Sequence, residues 1–527
     1  VEALAIGFLH AWRDPRHERR AAEIIRGLYP DLAMTLSSAV APEIREFERI
    51  STACANAYVQ PRMRRYLDKL EASLAALGFT GALYVMLSGG GIASVQEAKD
   101  YPIRLIESGP AAGAMAASWL AQRAGLDQVI SYDMGGTTAK MCLIQNGAPD
   151  RKFDFEAGRV RRFQKGSGLP LKVSVVDMIE IGAGGGSIAR VDPASGLMKV
   201  GPRSAGAKPG PICYGRGGVE PTVTDSDLVL GRLDPAYFLG GEMALDLAAV
   251  TRAVSGDLSA KLAVSADDAA LGIRRIVDET MAAATRMHMA EKGRDPRRFT
   301  LIAFGGAGPV HACDLARLLK IRRVLVPLGA GVASALGFLV APPATDLVRS
   351  LVGRLERLDW AKIASLYAEM VEEARGLLIG AGADPDKIIY KPAADMRYVG
   401  QVHECTVEID PFALTDDALI KLIEAFHARH EELYTYSERQ SVVEIVNVES
   451  AIWGRVDRPN RMTVAKGKGA ASALEGTRPM IFDAGAVAHD VPVYAGARLG
   501  AGDKIIGPAV IEEITTTLVI EPNWQAE

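Results

Sequence analysis

An α/β fold in more than one domain is the expectation for this chain, and three observations carry it. Residues 299–304, the glycine turn 305–308, residues 310–319 and residues 323–327 follow one another as strand, turn, helix and strand, one β–turn–α–β unit. At 527 residues the chain exceeds what a single hydrophobic core holds, so two to four domains are expected. Past residues 346–356 the pattern changes to alternating strands between two long helical stretches, which predicts a C-terminal α+β domain of its own.

The elements follow in order. Residues 1–78 read as mostly helical: Ala3, Ile6, Leu9 and Trp12 share one stripe, and Ala21, Ile24, Ile25 and Leu28 form the next. A long helix is expected over 56–77, entered or bent near Pro61, where the ring removes a donor. Residues 83–87 form a short buried strand stopped by Ser88-Gly89-Gly90-Gly91, and ESGPAAGA (107–114) turns into a small-residue helix over 111–124. The glycine-dense stretch 174–218 contains DMIEIGAGGGSIA (177–189) and GPRSAGAKPGPICYGRGG (201–218). Val175, Ile179, Ile181, Ile188 and Val191 interleave with its glycines, so ordered loops between buried strands are expected, not low complexity.

Residues 267–292 are an amphipathic helix with Ile273, Ile276, Val277, Met281, Ala284 and Met287 on its apolar side. The C-terminal part offers a helix over 360–381, strands over 388–398 and 404–409, and a helix over 416–434. β-like segments and a Lys/Gly/Ala-rich loop at 465–472 complete it, and no short internal repeat occurs.

Composition excludes several function classes. A net charge of −4 with no basic block does not suit nucleic acid as a partner. The five cysteines are scattered with no CxxC pair, which argues against a disulfide framework or zinc ribbon and suits a reducing cytoplasm. The histidines show no HExxH spacing; His427 and His430 share a helical face, where partly exposed positions are expected. The longest apolar run, 330–342, is interrupted by glycine, serine and proline, so no membrane span is expected. The first residues lack the basic start and cleavage site of a signal peptide and begin inside an apolar segment, which reads as a fragment or processed piece.

The candidate chemistry centres on SYDMGGTTAK (131–140), where an apolar strand ends in Asp-Met-Gly-Gly-Thr-Thr and returns as a second strand. Each residue type there suits a polyphosphate lying over the turn. Gly135 and Gly136 let backbone N–H groups approach phosphate oxygens, and Thr137 and Thr138 add hydroxyl donors. Asp133 can hold a magnesium ion or orient a water. By itself such a turn reads better as an ordinary Asp-Gly hairpin with strand threonines. Gly184, Gly185 and Gly186 can form a second anion nest or a tight strand-to-strand turn. Asp177, Glu180 and Asp225 beside these loops can act as base or second metal ligand, or serve as caps and ion pairs. Lys140, Lys208 and Arg216 are candidate anion contacts or solvated cations. Cys213 reads better as a structural thiol than a nucleophile, and Arg397, Gln401, His403 and Glu404 form a polar cluster.

Taken together, these stretches resemble the hydantoinase A / 5-oxoprolinase family. The residues that carry the resemblance are PEIREFERISTACANAYVQP (42–61), IESGPAAGA (106–114), SYDMGGTTAK (131–140) and IGAGGGSIARVD (181–192). They continue in GPRSAGAKPGPICYGRGGVEPTVTDSDLVLGRL (201–233), FGGAGPVHACDLA (304–316), MRYVGQVHE (396–404) and GPAVIEE (507–513). The resemblance implies the ATPase superfamily of actin, the heat-shock ATPases and the sugar kinases, with ribonuclease-H-like domains that grip a nucleotide. It implies that 133–138 is the second phosphate hairpin, that Gly305, Gly306 and Gly308 form the adenosine turn, and that ATP and Mg2+ are used. It divides the chain into 1–92 (the remainder of the first actin-like domain), 93–348 (the core) and a C-terminal domain, 349–527.

The implied reaction is ATP-dependent opening of a cyclic amide such as a hydantoin, 5-oxoproline or a lactam, with ketone carboxylation as the variant. Asp133, Asp177 and Glu180 are its candidate catalytic residues. A hydantoinase B-type partner subunit and homo-oligomerisation are implied as well. The family's first GxDxGGTFTD-like hairpin has no match here, which implies a chain that starts downstream of it, stops a little short, and is incomplete without that segment or a partner.

Overall fold

The computed structural model of the protein describes residues 1–159, 166–413, 415–454 and 464–527. Backbone contacts gather them into two compact units, each drawn from three stretches of sequence. One holds Val1–Ala112, Arg151–Val176 and Val340–Arg458; the other holds Gly113–Asp150, Asp177–Leu339 and Pro459–Glu527. The expected blocks 1–92, 93–348 and 349–527 do not coincide with these units. Residues 93–112 and 151–176 go with the first unit, and the last strands of the chain go with the second. Hydrophobic pattern marks an element's buried face but not the element that covers it.

The second unit is built on a mixed sheet whose strands run, edge to edge, Met178–Ile181, Ala139–Gln145, Gln128–Met134, Thr300–Phe304 and Val324–Leu325. The first three are antiparallel and the last two join in parallel. In order of appearance the strands therefore stand 3-2-1-4-5, the ribonuclease-H-like arrangement. Ile130, Tyr132, Met134, Met141 and Leu143 share a core with Ile273, Val277 and Met281 of the helix Ala266–Glu291 and with Val310 and Leu315 of the helix Gly308–Leu319. Residue alternation then sends Asp133 to the opposite face of the sheet. The strands Leu474–Met480, His489–Ala495, Ala509–Glu513 and Thr516–Ile520 form a second sheet of this unit, and its Met480, Val491, Val510 and Val519 enter the same core.

In the first unit, Ala3–Ile6 is a strand paired in parallel with Ala33–Leu36, which corrects the helical reading of the opening residues. A short apolar run fits both periods, and pairing decides between them. The long helix starts earlier than expected, at Glu46, and runs through Pro61 to Ala76. The four-stranded antiparallel sheet Ala344–Arg354, Val443–Gly454, Ile388–Tyr398 and Cys405–Glu408 packs against the helices Trp360–Gly380 and Asp416–Tyr434, the α+β pattern foreseen past residue 346. His427 and His430 are buried, not partly exposed: the Tyr398 hydroxyl lies 2.7 Å from His427 Nδ1, and His430 Nδ1 lies 2.8 Å from the Tyr436 carbonyl. Among the described residues no helix is long and apolar enough to cross a membrane.

Candidate functional site

The hairpin forms as its sequence requires. Met134 pairs with Ala139, leaving Gly135, Gly136, Thr137 and Thr138 as the turn, closed by a 3.2 Å bond from the Gly135 N–H to the Thr138 carbonyl. Gly136 and Thr137 are exposed at its tip. Among the described residues, nothing is bonded to their amides or to the hydroxyls of Thr137 and Thr138. The tip therefore presents a group of unspent donors to solvent, as an anion-binding turn must.

Asp133 lies one residue before the end of its strand, half-buried on the sheet face opposite the main core. The Ser334 hydroxyl donates to its Oδ2 at 2.9 Å. Burial pushes the Asp133 carboxyl above its ordinary value, while the Ser334 bond and the charge of Lys140 pull it back. Two glycines make room for it. A Cβ on Gly305 would lie 2.5 Å from Asp133 Oδ1, and one on Gly113 would lie 3.0 Å from the Ser334 hydroxyl and 3.4 Å from Asp133 Oδ2. Gly305 also has φ +86°, a conformation that side chains disfavour.

Asp133 is a single carboxylate, and the described residues contain no group of three or more His, Cys, Asp or Glu side chains that could hold a metal. That donor set fits Mg2+, which keeps several waters and completes its shell with phosphate oxygens, better than a metal caged by protein.

The loop Gly184–Gly186 lies directly on the turn. The Gly185 N–H donates to the Gly135 carbonyl at 3.0 Å, and the Gly186 N–H donates to the Gly136 carbonyl at 2.6 Å. The Gly184 amide donates to the Ser187 hydroxyl, and the Ser187 amide donates to the Gly184 carbonyl. All four amides are spent, so the loop has no nest for an anion and acts as a brace for the turn. Only glycine fits at 184, since a Cβ there would meet the backbone of Thr137 and Thr138 at 2.6–2.8 Å.

The Gly305–Gly308 turn flanks the hairpin on the other side, because strand 300–304 pairs in parallel with strand 128–134 and places Phe304 opposite Asp133. The Ala307 N–H donates to the Met134 carbonyl at 3.0 Å, and Gly306 is exposed. Gly308 opens the helix Gly308–Leu319, which has no side-chain cap, so its first amides face the same region.

The remaining candidates separate sharply. Glu180 stands beside the turn and pairs with Lys140 at 3.5 Å; register puts Asp133, Lys140 and Glu180 in one cross-strand row. Asp177 precedes the other end of the Met178–Ile181 strand, roughly 13 Å away at about 3.3 Å per residue. There its carboxylate takes an ion pair from Lys292 at 2.5 Å. Asp225 is a cap: it accepts from the amides of Ile212, Cys213 and Thr222 and from the Thr222 hydroxyl at 2.8–3.1 Å.

Cys213 is buried, and burial pushes its thiol far up, as suits a structural role. Lys208 and Arg216 are exposed. In the other unit, Arg397 pairs with Glu444 and Glu404, and Gln401 reaches His430, so that cluster ties its own sheet and helix together.

Sequence reasoning missed four contributors. Ser334 was visible as the hydroxyl interrupting an apolar run, and Gly113 as part of the ESGPAAGA stretch. Thr516 donates to the Gly306 carbonyl at 3.1 Å, and Thr515 fills the space at Gly331 where a side chain would stand. Both follow the GPAVIEE stretch after Ile514, but nothing in their sequence says which loop they touch.

Family models bear on this arrangement. The hydantoinase/oxoprolinase model matches residues 49–347, and the hydantoinase/oxoprolinase C-terminal domain model matches 356–527. The chain belongs to the hydantoinase/oxoprolinase family. The caprolactamase subunit alpha of Pseudomonas jessenii is 38% identical over 529 residues, covering 100% of this chain and 75% of that one. The acetophenone carboxylase gamma subunit of Aromatoleum aromaticum is 31% identical, covering 99% of this chain and 72% of that one. The crystal structure of the ATP-dependent caprolactamase from Pseudomonas jessenii superposes with a TM-score of 0.86 at 37% identity, over 100% of this chain and 75% of that one. The two family models meet between residues 347 and 356, where the sequence pattern changes.

Proposed function

We propose that the protein is a subunit of an ATP-dependent enzyme that opens a cyclic amide: a hydantoin, 5-oxoproline or a lactam. The observation that carries this reading is the open hairpin tip, where unspent amides and hydroxyls stand next to a lone, half-buried Asp133. Phosphoryl transfer needs positioning and charge neutralisation more than covalent help, and this tip offers both. The Gly136 and Thr137 amides and the threonine hydroxyls would hold the phosphate oxygens, and Asp133 would hold a Mg2+ ion, which would neutralise their charge. Gly305 and Gly306 admit the nucleoside side. Glu180 and Lys140 form the charged rim beside the turn.

The γ-phosphoryl passes to the amide oxygen and ADP leaves. Water then adds at the activated carbon, the ring C–N bond breaks with a proton going to nitrogen to leave an acyl phosphate, and a second water displaces phosphate to give the free carboxylate. The second half of this sequence falls to a hydantoinase B-type partner subunit. A homo-oligomer and a cytoplasmic location belong to the same proposal; all five cysteines are free, four of them buried, which fits a reducing compartment.

The likeness to the acetophenone carboxylase gamma subunit favours one second reading, in which the phosphoryl acceptor is a ketone enolate or bicarbonate oxygen and the product is carboxylated. Measuring ATP turnover with hydantoin, 5-oxoproline, a lactam and acetophenone, each with the neighbouring subunit present, separates the two. Turnover driven by a cyclic amide supports the hydrolase. Turnover driven only by the ketone with bicarbonate replaces it with the carboxylase, and nucleotide binding without turnover assigns a binding role.

A further inference from the structure

Behind the two nucleotide-facing turns lies a buried charged cluster that the proposed chemistry does not use. His311 stands in the first turns of the helix Gly308–Leu319 and is fully buried. Its Nδ1 is 2.8 Å from Asp278 Oδ1 and its Nε2 is 3.2 Å from Asp227 Oδ2. Both carboxylates are themselves buried. A neutral imidazole has one N–H, so it can donate to only one of them; an imidazolium satisfies both.

The two partners lie on different elements. Asp278 belongs to the helix Ala266–Glu291, and Asp227 belongs to the short helix Val223–Val229. That short helix carries the brace, because the Thr224 N–H donates to the Gly185 carbonyl at 2.7 Å and Gly185 and Gly186 in turn hold Gly135 and Gly136. His311 sits on the other arm, four residues beyond Ala307, whose N–H holds the Met134 carbonyl.

We propose that His311, held as an imidazolium between Asp227 and Asp278, is the positioning residue that keeps the phosphate turn and the Gly305–Gly308 turn in register, so that nucleotide affinity falls when it loses its proton. The ligand named here rests on the ATP reading above; the mechanical link between the turns does not.

The groups facing His311 from each packed element agree with a retained proton. Asp227 comes from the short helix, and Asp278 and Arg274 come from the long one. Tyr132 of the central strand is a neutral phenol there, its ionisation opposed by burial and by Asp278. Asp314 of the same helix as His311, together with Glu521, is engaged by Arg274, and Arg232 also pairs with Glu521. The two carboxylates outweigh burial and Arg274, which raises His311 to about 9.

Arg274 also joins these helices, donating to Asp227 at 2.9 Å and to the Val310 carbonyl at 2.8 Å. It holds its charge throughout the working pH range. A pH-dependent effect in the alkaline range therefore reports on His311 and not on Arg274.

The test measures Mg-ATP affinity by calorimetry from about pH 7.5 to about pH 10, in the wild type, His311→Gln and Asp278→Asn, with hydrogen exchange at 135–138 and 184–187 in the nucleotide-free proteins. In the wild type, affinity should fall by about ten-fold as His311 deprotonates, a typical coupling between linked sites. His311→Gln should be weak already at the lower pH and flat above it, and its turn and brace amides should exchange faster. Asp278→Asn, which keeps the shape and removes one carboxylate, should move the alkaline fall to lower pH.

A His311→Gln protein that binds Mg-ATP like the wild type, or the same alkaline slope in all three proteins, overturns the proposal. If His311→Gln fails to fold, the wild-type and Asp278→Asn pH series decide alone. If the wild type binds no Mg-ATP at any pH even with the partner subunit present, the ATP reading fails, and the exchange rates still decide: unchanged turn amides in His311→Gln overturn the positioning role.

Discussion

Two glycine runs that look alike in sequence touch each other in the fold and have opposite properties. In Met134-Gly135-Gly136-Thr137 the tip amides are unspent and exposed; in Ala183-Gly184-Gly185-Gly186 every glycine amide is bonded and buried. Glycine serves the first by leaving room for a ligand and the second by leaving room for the first. A Cβ at Gly184 or Gly186 would meet the backbone of the turn at under 3.0 Å, whereas nothing in the protein stands within 4 Å of a Cβ at Gly135 or Gly136.

The largest effect that can break this contrast is at the acid beside the open turn. Asp133→Asn should lower ATP turnover by about 10²–10³-fold, the range for losing one charge-stabilising group. Its melting temperature should stay nearly unchanged, because the burial that raises this carboxyl already disfavours its charge. A turnover loss matched by an equal loss of stability would mean that Asp133 is structural.

Next comes a paired substitution. Gly184→Ala drives a Cβ into the Thr137–Thr138 backbone and should cost about 3 kcal/mol in urea unfolding. Gly136→Ala should change stability by no more than about 0.5 kcal/mol and instead raise the KM for ATP several-fold. Equal destabilisation by the two would erase the distinction between brace and tip.

The brace also makes stability depend on pH. The folded state raises His311 from 6.5 to about 9, so its contribution is complete below about pH 6.5 and disappears as pH rises through about 9. By linkage the loss is on the order of 3 kcal/mol, to be read from urea midpoints against pH. Midpoints flat across that window would remove the imidazolium from the account.

Smaller effects sharpen the edges of the site. Thr137→Val should weaken Mg-ATP binding by about 1.5 kcal/mol, the value of a hydrogen bond to a charged group, with stability unchanged. Asp177→Asn should leave turnover within about two-fold and cost about 1 kcal/mol of stability, since its partner is Lys292 at the far end of the strand. A selective loss of turnover in Asp177→Asn would return that residue to the chemistry.

The sequence made the hairpin legible because an apolar strand, a turn rich in glycine and hydroxyls and a returning apolar strand have one reading as local structure. Residues 299–319 were legible for the same reason, a strand and a helix joined by glycines. The opening strand Ala3–Ile6 was not, because four apolar residues satisfy the helical period as well as the strand period and the partner strand lies some thirty residues on. Ser334 and Thr516 reach the site from loops distant in sequence, and only tertiary structure brings them there. The amides of Gly184–Gly186 show the deeper limit. A sequence shows where backbone donors can approach a ligand, but whether they are already engaged depends on what the fold lays against them.

That limit also defines the most direct measurement. Residue-resolved hydrogen exchange of the complete chain, with and without Mg-ATP, reads both glycine runs at once. The account predicts fast exchange at Gly136 and Thr137 that slows markedly on adding Mg-ATP, and slow exchange at Gly184–Ser187 that does not change. Protection appearing at Gly184–Ser187 while Gly136 and Thr137 stay unaffected would contradict it.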